Sequence, residues 1–220
     1  GRQSPRHHRT VSRAATATRL ALITLLGACA PKAPPLAGTV VPVTIPRTAL
    51  PPVHRKIVFQ WSFTDDNVRV RGDGAARVAP PDSVRLDFFV ANGMGSGYAL
   101  LVGDSVRTPA GNAVRRYLPP VPLLWAALGR LAVPAAPDTA ARVDGDTLRV
   151  EIGHDPGWRA TFVDRQLGRL DLVDGGRIPQ WLERSSTGSV HYEYSRARRA
   201  LQLTIERVDT VPAFDASIWR

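Results

Sequence analysis

The sequence has one cysteine, Cys29, one methionine, Met94, and only 7% aromatic residues. A lone thiol excludes an internal disulfide framework, so the stability of the chain must come from packing. Nowhere do about 20 apolar residues run together, which leaves no conventional membrane-spanning helix. Groups that carry chemistry are equally scarce. His154-Asp155 precedes Pro156-Gly157, a turn composition. His54 and His191 have no carboxylate or cysteine at metal-ligand spacing, and His7-His8 lie in an N-terminal stretch expected to be removed. Gly93, Gly95 and Gly97 lead into a strand pattern, whereas a dinucleotide loop must open a helix. Ser83, Ser96 and Ser105 stand outside any nucleophile-elbow sequence. The expectation is no enzyme, no metal and no cofactor.

What is present begins with a signal. Arg13 and Arg19 precede an apolar run from Leu20 that ends in Leu26-Gly27-Ala28-Cys29. A basic flank, a short apolar segment and small residues at its end fit a secretory signal. The last four residues resemble the bacterial lipobox, in which a peptidase cuts before the cysteine and the cysteine then carries acyl chains. Residues 1–28 are thus expected as a lipoprotein signal peptide and Cys29 as the lipidation site. The alternative, an inert buried thiol, has no core to join at this place. The chain does not begin with Met, so its natural start can lie elsewhere and residues 1–10 need not belong to the signal.

The net charge of +10 suggests a nucleic-acid partner until it is divided. Arg2, Arg6, Arg9, Arg13 and Arg19 fall in the signal, which leaves 24 basic against 19 acidic residues, or +5. The remaining cations are almost all arginine, scattered among Asp and Glu as on an ordinary solvated surface. Aromatics alternate onto the face opposite the arginines, and export removes the opportunity, so nucleic acid is not expected as a partner.

From Cys29 to Pro52, prolines recur at 31, 34, 35, 42, 46, 51 and 52 without a helical or strand period, and residues 29–52 read as a lipidated tether. Val40-Val41-Pro42-Val43-Thr44-Ile45 is apolar enough to dock as a short edge strand, the place where proline is tolerated. Residues 53–220 form one domain. Its period is two: Ile57, Phe59, Trp61 and Phe63 share a face, as do Val84, Leu86, Phe88 and Val90, and later Leu148-Val150-Ile152 and Leu201-Leu203-Ile205. Roughly ten strands with one apolar and one charged face describe an antiparallel sheet wet on one side.

Pro119-Pro120-Val121-Pro122 interrupts this pattern, and residues 123–131 are apolar nearly all round. Proline before and after suits a short helix that must be covered on several sides. A sheet this wide curls, and its apolar face can close on a second sheet or around the helix. The single apolar helix favours the latter, so the fold class is mainly β (α+β), a single curled antiparallel sheet forming a half-open barrel plugged by a short apolar helix.

In this order, the hairpin from Phe59-Gln60-Trp61 to Val70-Arg71-Gly72, the strand start Pro81-Asp82-Ser83-Val84-Arg85-Leu86, the loop Asn92-Gly93-Met94-Gly95-Ser96 and the Pro122-Leu123-Leu124-Trp125 lead-in resemble the LolA/LolB-like superfamily of bacterial lipoprotein carriers. One departure is that those carriers open with a helix where this chain has its proline-rich stretch. The resemblance implies a half-open barrel with a lipid-binding concave face, acyl chains of lipoproteins or lipids as partners, and a lipid-anchored place on the periplasmic side of the bacterial outer membrane. Ala30 after the cysteine, rather than Asp, agrees with that place by analogy with enterobacterial sorting. Phe59, Trp61, Phe63, Phe88, Trp125 and Leu128 are the candidate ligand lining, with ordinary core as the alternative. Met94, between two glycines, is the candidate contact to membrane or cargo, with a cap folded over the barrel end as its alternative. A second function remains open, a structural or assembly lipoprotein of the envelope with a solid core and a protein partner.

Overall fold

The structure is a computed structural model that describes residues 1, 30–66, 68–93, 95–109, 115 and 118–219. The period-two segments form thirteen strands: β1 (Thr39–Val41), β2 (Arg55–Asp65), β3 (Val68–Ala79), β4 (Ser83–Val90), β5 (Ser96–Val102), β6 (Ser105–Arg107), β7 (Thr139–Asp144), β8 (Thr147–Ile152), β9 (Gly157–Val163), β10 (Gln166–Asp174), β11 (Arg177–Arg184), β12 (Ser189–Tyr194) and β13 (Arg199–Thr210). One α-helix among the described residues, α1 (Val121–Ala127), separates β6 from β7. The strands make a single antiparallel sheet in the order β1-β7-β8-β9-β10-β11-β12-β13-β2-β3-β4-β5-β6, with β1 and β6 as its edges, so the sheet is not closed. More strands form than the roughly ten expected. In β7, Ala141 stands opposite Val150 where a large apolar residue would mark the core face, which makes its alternation faint in the sequence.

Most neighbours in the sheet are neighbours in sequence. The central joint is not: β13 pairs with β2, Leu201 opposite Phe63, Leu203 opposite Trp61 and Ile205 opposite Phe59. Because side chains directly opposite share a face, this register gathers the aromatics of β2 and the leucines of β13 on the side that meets α1.

The helix explains the curvature. Leu123 and Ala126 pack with Val150, Ala160, Phe162, Leu170 and Leu182, while Leu124 and Trp125 pack with Ile57, Phe59, Val78, Val84 and Leu101. Phe162 on β9 and Val84 on β4 are seven strand positions apart, roughly 34 Å in a flat sheet. A helix only about 10–12 Å across can touch both only if the sheet bends around it. The helix is shorter than the apolar run 123–131. Gly129, at φ +80°, takes the left-handed conformation that glycine tolerates, and the Arg130 and Gly129 N–H groups bond Trp125 O at 3.0 Å and Ala126 O at 2.9 Å. This is a Schellman stop, so Leu128 and Gly129 turn the chain out of the helix and Arg130 and Leu131 leave it as irregular chain.

Residues 30–52 do not hang free. The Pro31 carbonyl accepts from Ile178 N at 2.9 Å, Ala33 N donates to Gly176 O at 2.9 Å, and the Arg159 and Arg177 guanidinium groups bond the Pro34 and Ala30 carbonyls at 2.7 and 2.9 Å. The segment then becomes edge strand β1, stopping at Pro42, and returns past Thr48, whose Oγ1 accepts from Leu131 N at 2.8 Å, to bury Leu50 beside Trp125. The sheet thus takes in residues whose composition reads as tether.

Trp125 is fully buried. Its Nε1 donates to Gly103 O at 2.7 Å and the Arg130 guanidinium lies 4.4 Å over its ring. Trp125→Ala should lower stability by about 3–5 kcal/mol, read from urea midpoints. Trp125→Phe, which keeps most of the volume but forfeits the hydrogen bond, should lose clearly less. Equal losses would mean that volume is not what the helix contributes.

Candidate functional site

The bare side of β3 shapes the site. Gly72 pairs with Trp61 and Gly74 with Phe59. A Cβ at Gly74 would collide with the Phe59 ring, and one at Gly72 would collide with the Phe89 carbonyl. Glycine here lets the aromatics of β2 lie close over their neighbour, the close-approach role of glycine within a strand. Phe88 on β4 completes the group, its ring 5.9 Å from Phe59 and 5.8 Å from Trp61, both edge-to-face, the arrangement favoured by aromatic quadrupoles.

Two adjacent apolar spaces result. An outer groove of about 310 Å³ is walled by Trp61, Phe63, Val70, Phe88, Leu118 and Leu201. An inner cavity of about 60 Å³ lies deeper, among Phe59, Phe88, Leu118, Leu128, Tyr192 and Leu203. Phe88, Leu118 and Leu201 border both. Two polar groups on these walls are engaged within the protein: Trp61 Nε1 donates to Asp73 O at 2.9 Å and the Tyr192 hydroxyl to Gln180 Oε1 at 2.9 Å. Burial holds the Tyr192 phenol well above its ordinary pKa, so this wall is uncharged at physiological pH.

The sequence candidates divide. Phe59, Phe88 and Leu128 meet at the inner cavity, and Trp61, Phe63 and Phe88 at the outer groove. Trp125 borders neither; it stands behind them in the core. Cys29 and Met94 lie outside the described residues. Of the loop around Met94, Gly95, Ser96 and Gly97 line the outer groove. Sequence reasoning left Val70, Leu118, Leu201 and Tyr192 out of the site. The β13 alternation puts Leu201 and Leu203 on one face, but only the β13–β2 joint brings that face to Phe63. Leu118, in an irregular segment, gives no periodic signal at all.

Two histidines and the neighbour of a third make local contacts. His191 Nδ1 bonds Gln202 Oε1 at 2.9 Å, the His54 ring meets Phe214 at 5.6 Å, and Asp155, beside His154, accepts from Gly175 N at 2.7 Å.

No protein-family model matches the chain. By sequence, 119 residues are 33% identical to part of the DNA-directed RNA polymerase subunit beta of Gluconobacter oxydans; this is 54% of the chain but 8% of that subunit, so the chain spans less than a tenth of that relative's length. By structure, the chain is similar to a LolA superfamily protein from Nitrosomonas europaea, with a TM-score of 0.52 at 8% identity over 79% of this chain and 92% of that one. A putative outer membrane lipoprotein-sorting protein domain from Vibrio parahaemolyticus has a TM-score of 0.46 at 4% identity, over 76% and 89% of the two chains. A DUF1329 family protein from Desulfovibrio piger has a TM-score of 0.42 at 9% identity, again over 76% and 89%. The fold is LolA/LolB-like.

Gly74→Ala should push the Phe59 ring off β3 and cost about 1–3 kcal/mol. Adding Phe59→Leu should return part of that loss, measured as a coupling in a double-mutant cycle of unfolding midpoints. Strictly additive losses would show that the ring does not depend on the bare strand.

Proposed function

We propose that the protein is a lipid-anchored lipoprotein of the bacterial envelope, on the periplasmic face of the outer membrane, that holds acyl chains of a lipoprotein or another lipid. In this reading the bent sheet is a half-open barrel and α1 its plug. Residues 1–28 are the removed signal, Cys29 carries the anchor, and the stretch to residue 52 joins it to the carrier domain of residues 53–220 while lying bound along that domain's sheet. No catalytic step and no cofactor are involved.

The observation that carries the reading is the outer groove, whose 310 Å³ falls at the lower end of the roughly 300–1,000 Å³ of small-molecule sites. Its walls are mainly aromatic and aliphatic, with Ser96 among them, and the Trp61 indole N–H is satisfied within the protein. Such a surface recognises a methylene chain by burial alone. At about 0.8 kcal/mol per methylene, about 14 of them give at most roughly 11 kcal/mol before ordering costs. The LolA-like fold supports the same reading. The inner cavity favours the other one: its 60 Å³ is less than half the roughly 150 Å³ that accepts a benzene, as suits a structural lipoprotein with a solid core and a protein partner.

Native mass spectrometry of gently extracted Cys29→Ser protein separates the two. Co-purifying lipid is expected, and Val70→Glu, which puts a charge on the groove wall, should remove it while costing about 1 kcal/mol or less in stability. A protein without lipid, unchanged by Val70→Glu, would favour the solid core. The anchor is tested apart from this: Cys29→Ser should release the protein from membranes washed with salt and carbonate, because stable attachment takes two or more chains. Persistence in the washed membranes would refute lipidation at Cys29.

A further inference from the structure

Antiparallel pairing puts alternate turns at opposite ends of the strands. One rim of the sheet carries the β2–β3, β4–β5, β8–β9, β10–β11 and β12–β13 turns. The outer groove opens at this rim, since Phe63, Val68, Val70, Val90 and Gly95 flank the β2–β3 and β4–β5 turns and line it. Ala30 is fastened at the same rim. It is 2% exposed, and the chain from it to Pro34 is tied to Gly176, Arg177 and Ile178 around the β10–β11 turn and to Arg159 on β9.

We propose that this rim is the surface the protein presents to an anionic lipid bilayer, so that the groove opens directly onto the headgroups. The inference rests on the reading that Cys29 carries the anchor. Successive Cα atoms are about 3.8 Å apart, so acyl chains on Cys29 would leave the body next to Ala30. A free tether of residues 30–52 would allow roughly 25 Å of play and any orientation; a clamp beginning at Ala30 removes both.

Charge agrees with the direction. The groove rim exposes Lys32, Arg69 and Arg177, and beside them Arg196 and Arg198 pair with its Asp174 at 2.9 Å and Asp66 at 3.7 Å, while Asp155 is turned to Gly175 N. On the opposite rim Asp104, Asp146 and Asp164 are exposed, with Arg165 and Arg107, and Asp144 is paired with Arg149 at 3.7 Å, so acidic groups balance or outnumber basic ones there. An anionic leaflet attracts the first set and repels the second. Val68, 56% exposed at the mouth of the groove, adds an apolar contact.

The test uses the lipidated full chain with one added cysteine, Val68→Cys or Asp146→Cys, carrying an environment-sensitive fluorophore. Both positions are exposed, so the label leaves the core alone. The proteins are reconstituted on vesicles of phosphatidylethanolamine and phosphatidylglycerol containing a spin-labelled quencher lipid. Quenching is expected to be several-fold stronger at position 68 than at 146, and a long Gly/Ser insertion between Cys29 and Ala30 should shrink the difference. Equal quenching at the two positions, with the protein floating on the vesicles, would overturn the inference. If instead Cys29→Ser protein floats as well as the parent, the anchor itself is misassigned and the orientation argument falls with it.

Discussion

A seven-residue helix without a polar side is the constraint on which the rest of the structure depends. Leu123 and Ala126 need one half of the sheet and Leu124 and Trp125 the other, and no flat sheet can supply both. The sheet therefore bends, and its two halves are held apart by the width of the helix. Ahead of the helix, at Leu118, the space between them is not filled, and no residue of α1 borders the outer groove. The apolar groove is the part of the bent face that a short helix cannot cover.

The groove keeps its form because its wall is built from rigid parts. Phe59, Trp61 and Phe88 hold one another edge-to-face over strand β3, whose glycines give no side chain to intervene. At the far edge the arrangement is different. The segment 30–50 wraps the sheet from the β10–β11 turn, around edge strand β1, to the helix. Carbonyls of a proline-rich chain remain free to accept hydrogen bonds even where the ring removes the donor, and Arg159 and Arg177 exploit this at Pro34 and Ala30.

Much of this was legible in the sequence. Alternation marked β2, β4, β8 and β13, the prolines marked the helix, and the order of motifs pointed to the LolA/LolB-like fold. What stayed hidden depends on pairing at a distance. Nothing local tells that Leu201 faces Phe63, since their contact is made by a joint between the first long strand and the last. Trp125 shows the converse: its sequence is as apolar as that of the groove wall, and only the Gly103 hydrogen bond and the covering on all sides assign it to the core. The proline-rich segment misleads because composition reports flexibility while the bonds that fasten it come from strands far along the chain.

The joint between β13 and β2 also fixes the order in which the molecule can assemble. The strands β2 to β6 and β7 to β13 each follow as a succession of hairpins, whose loops are short and close quickly. Their union matches Arg199–Thr210 with Arg55–Asp65, a closure across most of the chain that is entropically dear and kinetically slow. A chain delivered N-terminus first holds β2 with one edge open until its last long strand arrives. For that interval the aromatic face of β2 is exposed, and it becomes a wall only once β13 has paired with it.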